Sequence, residues 1–222
     1  YAFFTQHNVN HPLSLYAATK KANELMAHTY SYLYNLPTTG PWGRLFNVIL
    51  SITNFMKKQI PAAFFDRDGV LNKDFGYVHK YSQFKWLPGS IKSLSFLSQI
   101  GYYIFIITNQ SGIGRGIFSK KEYYILNKKI NKFLIKKKIK ITRIYYCPHH
   151  PVYGLGKYKK KCKCRKPDNL LVRKVFKQYH IDRKNSFFIG DKLSDKMCAK
   201  KSKLKFFYRK KNLFQQIKKI TK

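Results

Sequence analysis

Acidic side chains are scarce in this sequence. Nine Asp and Glu stand against 45 Lys and Arg in 222 residues, for a formal net charge of +36. Such an imbalance raises the question of a nucleic-acid partner, but no nucleic-acid-binding motif is present. Lys, Ile, Tyr, Phe and Asn are abundant together and the lysines are scattered over most of the chain. The excess therefore reads as compositional drift, and no nucleic-acid partner is expected. Long apolar runs are also missing. Leu45 to Met56 is interrupted by Asn47, Ser51 and Asn54 and is too short to cross a bilayer, so no membrane partner is expected. Only four cysteines occur, Cys147, Cys162, Cys164 and Cys198, and no signal peptide opens the sequence. The expectation is a cytoplasmic protein with reduced thiols. The absence of a G-x-x-x-x-G-K-[ST] run argues against a P-loop NTPase.

What is present suits a folded enzyme. Hydrophobic residues make up 44% and aromatics 17% of the chain, enough for a proper core and unlike a disordered composition. Ala62 to Phe65 reads as a short buried strand that stops at Asp66-Arg67-Asp68-Gly69. Alternate residues of an extended segment share a face, so Asp66 and Asp68 aim at one point, and Gly69 lets the backbone turn. Ligands of open α/β sheets sit just outside the carboxyl ends of the strands. Two carboxylates there suit a hard divalent cation, and one of them can attack phosphorus. Four of the nine acidic residues fall in Asp66, Asp68, Asp191 and Asp195, a concentration that surface solvation would not produce.

The rest of this segment alternates β and α, the pattern of a parallel sheet covered by helices. Predicted helices run over Ser90 to Gln99, Lys121 to Lys138 and Leu170 to Tyr179. Predicted strands run over Tyr102 to Ile107, Ile141 to Tyr146, Phe187 to Ile189 and Lys205 to Tyr208. Thr108-Asn109-Gln110-Ser111 follows the second strand, where a hydroxyl and free N–H groups suit phosphoryl oxygens. Gly112, Gly114 and Gly116 around Arg115 suggest a tight loop. Cys147-x-His149 followed by Cys162-x-Cys164 places four zinc-type ligands in a short span. Free thiols or a disulfide remain the alternatives on spacing alone, and His150 rivals His149.

Phe64 to His79, Thr108 to Gly112, Cys147 to Pro151 and Cys162 to Pro167 together resemble the D-glycero-D-manno-heptose 1,7-bisphosphate 7-phosphatase family of haloacid dehalogenase (HAD) phosphohydrolases. The resemblance covers about Pro61 to Lys210. It implies a HAD-like Rossmannoid parallel sheet with helices on both faces, a small zinc-bound loop and no large cap domain. It also implies a phosphatase acting on a small sugar bisphosphate, with histidinol phosphate as the alternative substrate. In the family pattern Asp66 is the nucleophile and Asp68 the general acid and base. Asp74, Phe75, Gly76, Tyr77, Thr108, Asn109, Gln110, Ser111, Arg165, Lys166 and Lys192 are then the expected substrate contacts, Lys166 at the phosphoryl group. Asp191, in Gly190-Asp191-Lys192-Leu193-Ser194-Asp195, is expected to hold magnesium with the Asp66 carboxylate and the Asp68 carbonyl, Asp195 supporting from behind. Cys147, His149, Cys162 and Cys164 are the expected structural zinc ligands, and Cys198 is expected in helix packing. A monomer is expected.

Residues 1–58 are a different kind of sequence. Tyr16-Ala17-Ala18-Thr19-Lys20 lies within a predicted helix from Ser14 to Tyr34, and His11 to Leu25 together with Pro37-Thr38-Thr39-Gly40 resembles the middle of an NAD-dependent nucleotide-sugar epimerase, a family in which the Tyr-x-x-x-Lys pair is catalytic. That family needs a glycine-rich turn ahead of the Tyr-Lys pair, and here only Gly40 and Gly43 occur, both after it. The segment is expected to be an epimerase remnant without activity, fused to a phosphatase domain over 59–222.

Overall fold

The structure, a computed structural model, describes residues 59–221; the expected epimerase-like remnant and its helix lie outside them. Short runs rich in apolar and aromatic residues build a five-stranded sheet, β1 (Ile60–Phe65), β2 (Tyr103–Asn109), β3 (Arg143–Cys147), β4 (Ile181–Gly190) and β5 (Lys205–Tyr208). The order is β3-β2-β1-β4-β5 and every pair is parallel. Because successive residues point to opposite faces, Ala63 and Phe65 enter one core and Ala62 and Phe64 the other. The first core is closed by α1 (Ser90–Gln99), α3 (Lys120–Lys136) and α6 (Leu213–Ile220), through Leu94, Leu97, Leu126, Ile130 and Ile217. The second is closed by α4 (Leu170–Gln178) and α5 (Leu193–Lys201), through Val172, Val175, Cys198 and Ala199. Helices thus cover both faces, as the sequence implied. Between β1 and β2 stand only a loop, a short 3-10 turn at Tyr81–Gln83 and α1, so no separate cap domain interrupts the described residues.

Several elements depart from the expectations, β4 and α6 most of all, while a short helix, α2 (Ser111–Gly114), stands where a tight loop was expected. β4 begins at Ile181, six residues before the predicted strand, because Ile181 and Asp182 pair with Ile60 and Pro61. The register then shifts at Pro61/Ala63, and Ser186 Oγ accepts the Ala62 N–H at 2.8 Å across the irregularity. α6 was not anticipated. Asn212 caps it by accepting from the N–H groups of Phe214 and Gln215, and Leu213 and Ile217 bury one face.

Candidate active site

The strand order reverses at β1, so the carboxyl ends of β1 and β4 form the crevice where ligands of such sheets bind. The Asp66 N–H donates to the Ile189 carbonyl at 3.1 Å, which sets Asp66 beside Asp191. Gly69 makes this approach possible: its φ is +82°, and a Cβ there would overlap the Asp191 carboxylate. Asp66, Asp191 and Asp195 bring carboxylate oxygens within 4.8 Å of one another. Lys166, 3% exposed, holds its Nζ 2.9 Å from Asp66 Oδ1 and 2.6 Å from Asp195 Oδ1. The second Asp195 oxygen accepts from the N–H groups of Asp191 and Lys192 at the start of α5. Asp195 is therefore fully engaged as a support, whereas Asp191 Oδ1 is buried without any hydrogen-bond partner. A buried carboxylate oxygen left unpaired beside a second carboxylate fits a hard cation with oxygen ligands.

Electrostatics follow from burial. It pushes the Asp66 carboxyl up to about 6, with Lys166 pulling the other way and Asp195 and Asp68 adding to the rise. Asp191 is raised for the same reason, Lys192 opposing. Burial alone would neutralise Lys166, but the Asp66 and Asp195 charges outweigh it and move its pKa up. Lys166 is thus an ammonium at neutral pH.

Asp68 is held from three sides. Arg67, 1% exposed, donates from both Nε and Nη2 to its carboxylate and from Nη2 to the Val78 carbonyl. Asn72 Nδ2 donates to Asp68 Oδ1 at 2.9 Å and Gln110 Nε2 to Oδ2 at 2.8 Å. Gln110 also donates to Thr108 Oγ1 at 2.9 Å, which leaves the buried Thr108 hydroxyl to donate onward.

A cavity of about 440 Å³ opens above these groups. Asp66, Asp68, Asp74, Gly76, Tyr77, Thr108, Asn109, Gln110, Ser111, Arg165, Lys166 and Lys192 all line it. Among the expected contacts only Phe75 needs correcting, while Asn109 and Gln110 line the cavity with their side chains engaged within the site. Phe75 is absent from the lining: it is 51% exposed and lies under the ammonium groups of Lys73 and Lys85. Asn109 spends its side chain on Lys166, accepting from the Lys166 N–H and donating to the Lys166 carbonyl, both at 3.1 Å. Gln110 spends its amide on Asp68, Thr108 and Arg67. The last two therefore position catalytic groups. Lys192 crosses the mouth to Asp74 at 3.1 Å. Arg115 and Ser194 also line the cavity, though sequence reasoning did not select them.

Beside the cavity, Cys147, His149, Cys162 and Cys164 converge within 4.8 Å. Cys147 Sγ stands 3.5 Å from Cys162 Sγ and 3.2 Å from Cys164 Sγ, and His149 Nδ1 is 3.3 Å from Cys164 Sγ. These separations are too long for a disulfide, about 2.05 Å, and approach the edges of a tetrahedron with metal–sulfur distances of about 2.3 Å. The four residues form a cluster that could hold a metal ion. His150 is no rival, since its Nδ1 accepts from the N–H groups of Val152 and Tyr153. Arg165 donates to the His149 carbonyl at 3.1 Å, so the loop that would hold the metal also carries Arg165 and Lys166 to the site. Cys198 packs in the second core as expected.

Residues 61–217 match the polynucleotide kinase 3 phosphatase family. The chain is 43% identical over 150 residues to the D-glycero-beta-D-manno-heptose-1,7-bisphosphate 7-phosphatase of Pasteurella multocida, across 68% of this chain and 79% of that one. The Escherichia coli K12 enzyme of the same name is 38% identical over 144 residues, across 65% and 75%. The chain belongs to the heptose-bisphosphate phosphatase family of HAD hydrolases. A solved member of that family, the D,D-heptose 1,7-bisphosphate phosphatase of B. bronchiseptica in complex with magnesium and phosphate, superposes with a TM-score of 0.61 at 27% identity, covering 72% of this chain and 86% of that one. The family-model match over residues 61–217 takes in the whole crevice, from Asp66 to Asp195. Arg67 and Asn72, which hold Asp68, are site residues that sequence reasoning left without a role: one arginine among 45 basic residues carries no signal until its partner is seen.

Proposed function

We propose that this chain hydrolyses the 7-phosphate of D-glycero-D-manno-heptose 1,7-bisphosphate and releases the heptose 1-phosphate, a precursor for nucleotide-activated heptose of surface polysaccharide. One observation carries the reading: a nucleophile-ready Asp66, paired with the buried Lys166 ammonium and flanked by the unpartnered Asp191 oxygen, at the floor of a cavity lined by basic side chains. Asp66 attacks the phosphorus and Asp68 gives its proton to the departing sugar oxygen, forming an aspartyl-phosphate. Asp68 then takes a proton from water, which attacks the aspartyl-phosphate and frees Asp66 and inorganic phosphate. Lys166 and the Thr108 hydroxyl meet the charge that grows on the phosphoryl oxygens. Arg67, Asn72 and Gln110 orient the Asp68 carboxyl.

Mg²⁺ is the proposed cation, held by the Asp66 and Asp191 carboxylates and the Asp68 carbonyl. It supplies positive charge at the phosphoryl oxygens. Zn²⁺ is the proposed occupant of the Cys147, His149, Cys162 and Cys164 cluster, where it would be structural. The proposed setting is a cytoplasmic monomer, whose clustered thiols stay reduced; no helix among the described residues is long and apolar enough to cross a membrane. Phosphate release from heptose 1,7-bisphosphate with Mg²⁺, measured for the intact chain and for Asp66→Asn, tests the reading. Release that vanishes in the variant supports it. A folded, metal-loaded intact chain that releases phosphate from histidinol phosphate and not from the heptose would overturn it.

A further inference from the structure

Three of the most exposed large apolar side chains among the described residues share one loop. Val152, Tyr153 and Leu155 are 60%, 62% and 61% exposed. The backbone fixes this exposure. The Val152 and Tyr153 N–H groups donate to His150 Nδ1, and the Leu155 N–H donates to the Gly114 carbonyl at 2.7 Å. The His150 N–H donates to the Tyr158 carbonyl at 3.1 Å, and a Cβ at Gly154 would overlap that same oxygen. A loop tied down at these points holds its apolar tip outward instead of folding it onto the core.

Lysines follow at once. Lys157, Lys159, Lys160, Lys161 and Lys163 are all exposed, and none of them is in an ion pair among the described residues. No Asp or Glu occurs between Glu122 and Asp168, so no neighbour along the chain neutralises them. A contiguous exposed apolar patch calls for a partner, and the charge beside it calls for an anionic one. An apolar tip flanked by cations suits the headgroup layer of an anionic bilayer: the apolar side chains enter the acyl boundary and the ammonium groups meet the lipid phosphates. A nucleic acid would use the lysines and leave Val152 and Leu155 in water. A segment too short to span a bilayer says nothing of a loop that lies on one.

We propose that the loop over residues 152–163 docks this protein on the surface of an anionic lipid bilayer, with Val152, Tyr153 and Leu155 in the interface and the five lysines against the headgroups. The full, metal-loaded chain is floated with vesicles of phosphatidylcholine alone and of equal parts phosphatidylcholine and phosphatidylglycerol, at about 0.15 M salt. A chain of net charge +36 adsorbs to any anionic surface, so loop variants and a lysine footprint decide. One variant combines Val152→Ser with Leu155→Ser, the other Lys159→Gln with Lys160→Gln and Lys161→Gln, and bound metal is assayed in each. The expected result is binding to the anionic vesicles alone. Partitioning falls by about 100-fold when the three cations are lost and by about 10-fold when the apolar pair is lost. In the intact chain the vesicles shield Lys157, Lys159, Lys160, Lys161 and Lys163 from acetylation more than Lys128, Lys129 and Lys132 of α3, which are exposed as well. Where a variant loses its metal, this footprint decides by itself. No binding to anionic vesicles, equal shielding of the two lysine sets, or an apolar variant that retains its metal and binds like the intact chain overturns the inference. Single-stranded RNA that shields the loop lysines where vesicles do not assigns the surface to nucleic acid and overturns it too.

Discussion

Lys166 brings one buried ammonium between two carboxylates that would otherwise face each other. Removing it leaves Asp66 and Asp195 without compensation, so Lys166→Met should lower the unfolding free energy of the metal-free protein by about 3–5 kcal/mol, measured by urea titration. A loss below about 1 kcal/mol would refute this account of the pair. Activity should fall as well, by about 100-fold or more in kcat, because the charge is aimed at the transferring phosphoryl group. Asn109 acts one step further back. Its two hydrogen bonds hold the Lys166 backbone, so Asn109→Ala should reduce kcat by roughly 10-fold while KM for the substrate changes little. A rise in KM at constant kcat would instead return Asn109 to substrate binding. The residues that do chemistry were legible in the sequence because acids are rare there and the motif spacing is tight. How they are held was not legible: the contacts that Arg67, Asn109 and Gln110 make within the site are fixed only by the fold.

The loop from Cys147 to Asn169 has little core of its own; Val152, Tyr153 and Leu155 are all exposed. Its order depends on the Cys147, His149, Cys162 and Cys164 cluster. Stripping the metal with a chelator under reducing conditions should open the loop to trypsin at Lys157–Lys163, seen by mass spectrometry, and phosphatase activity should fall in parallel as Arg165 and Lys166 lose their mount. Cleavage that is indifferent to metal would refute the dependence. A second contact at the mouth links the loop after β1 to α5. Burial would raise the Asp74 carboxyl, but the Gly76 N–H and the Lys192 ammonium outweigh it and hold its pKa low. A depressed carboxylate stabilises the fold above its unfolded pKa, about 3.9, and loses that contribution as pH falls through the lower folded value. Acid unfolding should therefore be less steep below about pH 4 in Asp74→Asn than in the intact chain. Equal curves would mean the pair contributes nothing. Among the elements, the central strands were readable from unbroken apolar runs. The start of β4 was not, because Asp182-Arg183-Lys184-Asn185 reads as a loop and pairs only through Ile181 and Asp182. α6 carries its cap at Asn212 and its apolar face at Leu213 and Ile217, a signal short enough to pass for a polar tail.

At the scale of the whole molecule, a chain of net charge +36 acts on an anionic substrate. Long-range attraction raises the encounter rate with a charged substrate and is screened by salt. Raising ionic strength from about 0.01 to 0.15 M should lower kcat/KM for the bisphosphate more than for p-nitrophenyl phosphate, with kcat steady in both. A fall of equal size for the two substrates would assign the effect to salt on the catalyst itself. The overall architecture was open to sequence reasoning since alternation of β and α segments fixes a parallel sheet, whereas the strand order, with β1 between β2 and β4, depends on contacts that no local pattern encodes.

That order has a consequence for how the molecule is made. Ala62 and Ser186, hydrogen-bonded across the centre of the sheet, are 124 positions apart. A ribosome that has delivered β1, β2, β3 and the loop through Cys164 has already released the nucleophile and the thiol cluster, but half the crevice is still inside it. Until β4 arrives, β1 is an open edge whose amide and carbonyl groups are unpaired on one side and whose Phe64 and Phe65 lack the Phe188 and Phe187 rings they pack against. A message cut short before Asp191 thus yields a product that is inert and prone to self-association, and the last third of translation decides between enzyme and aggregate.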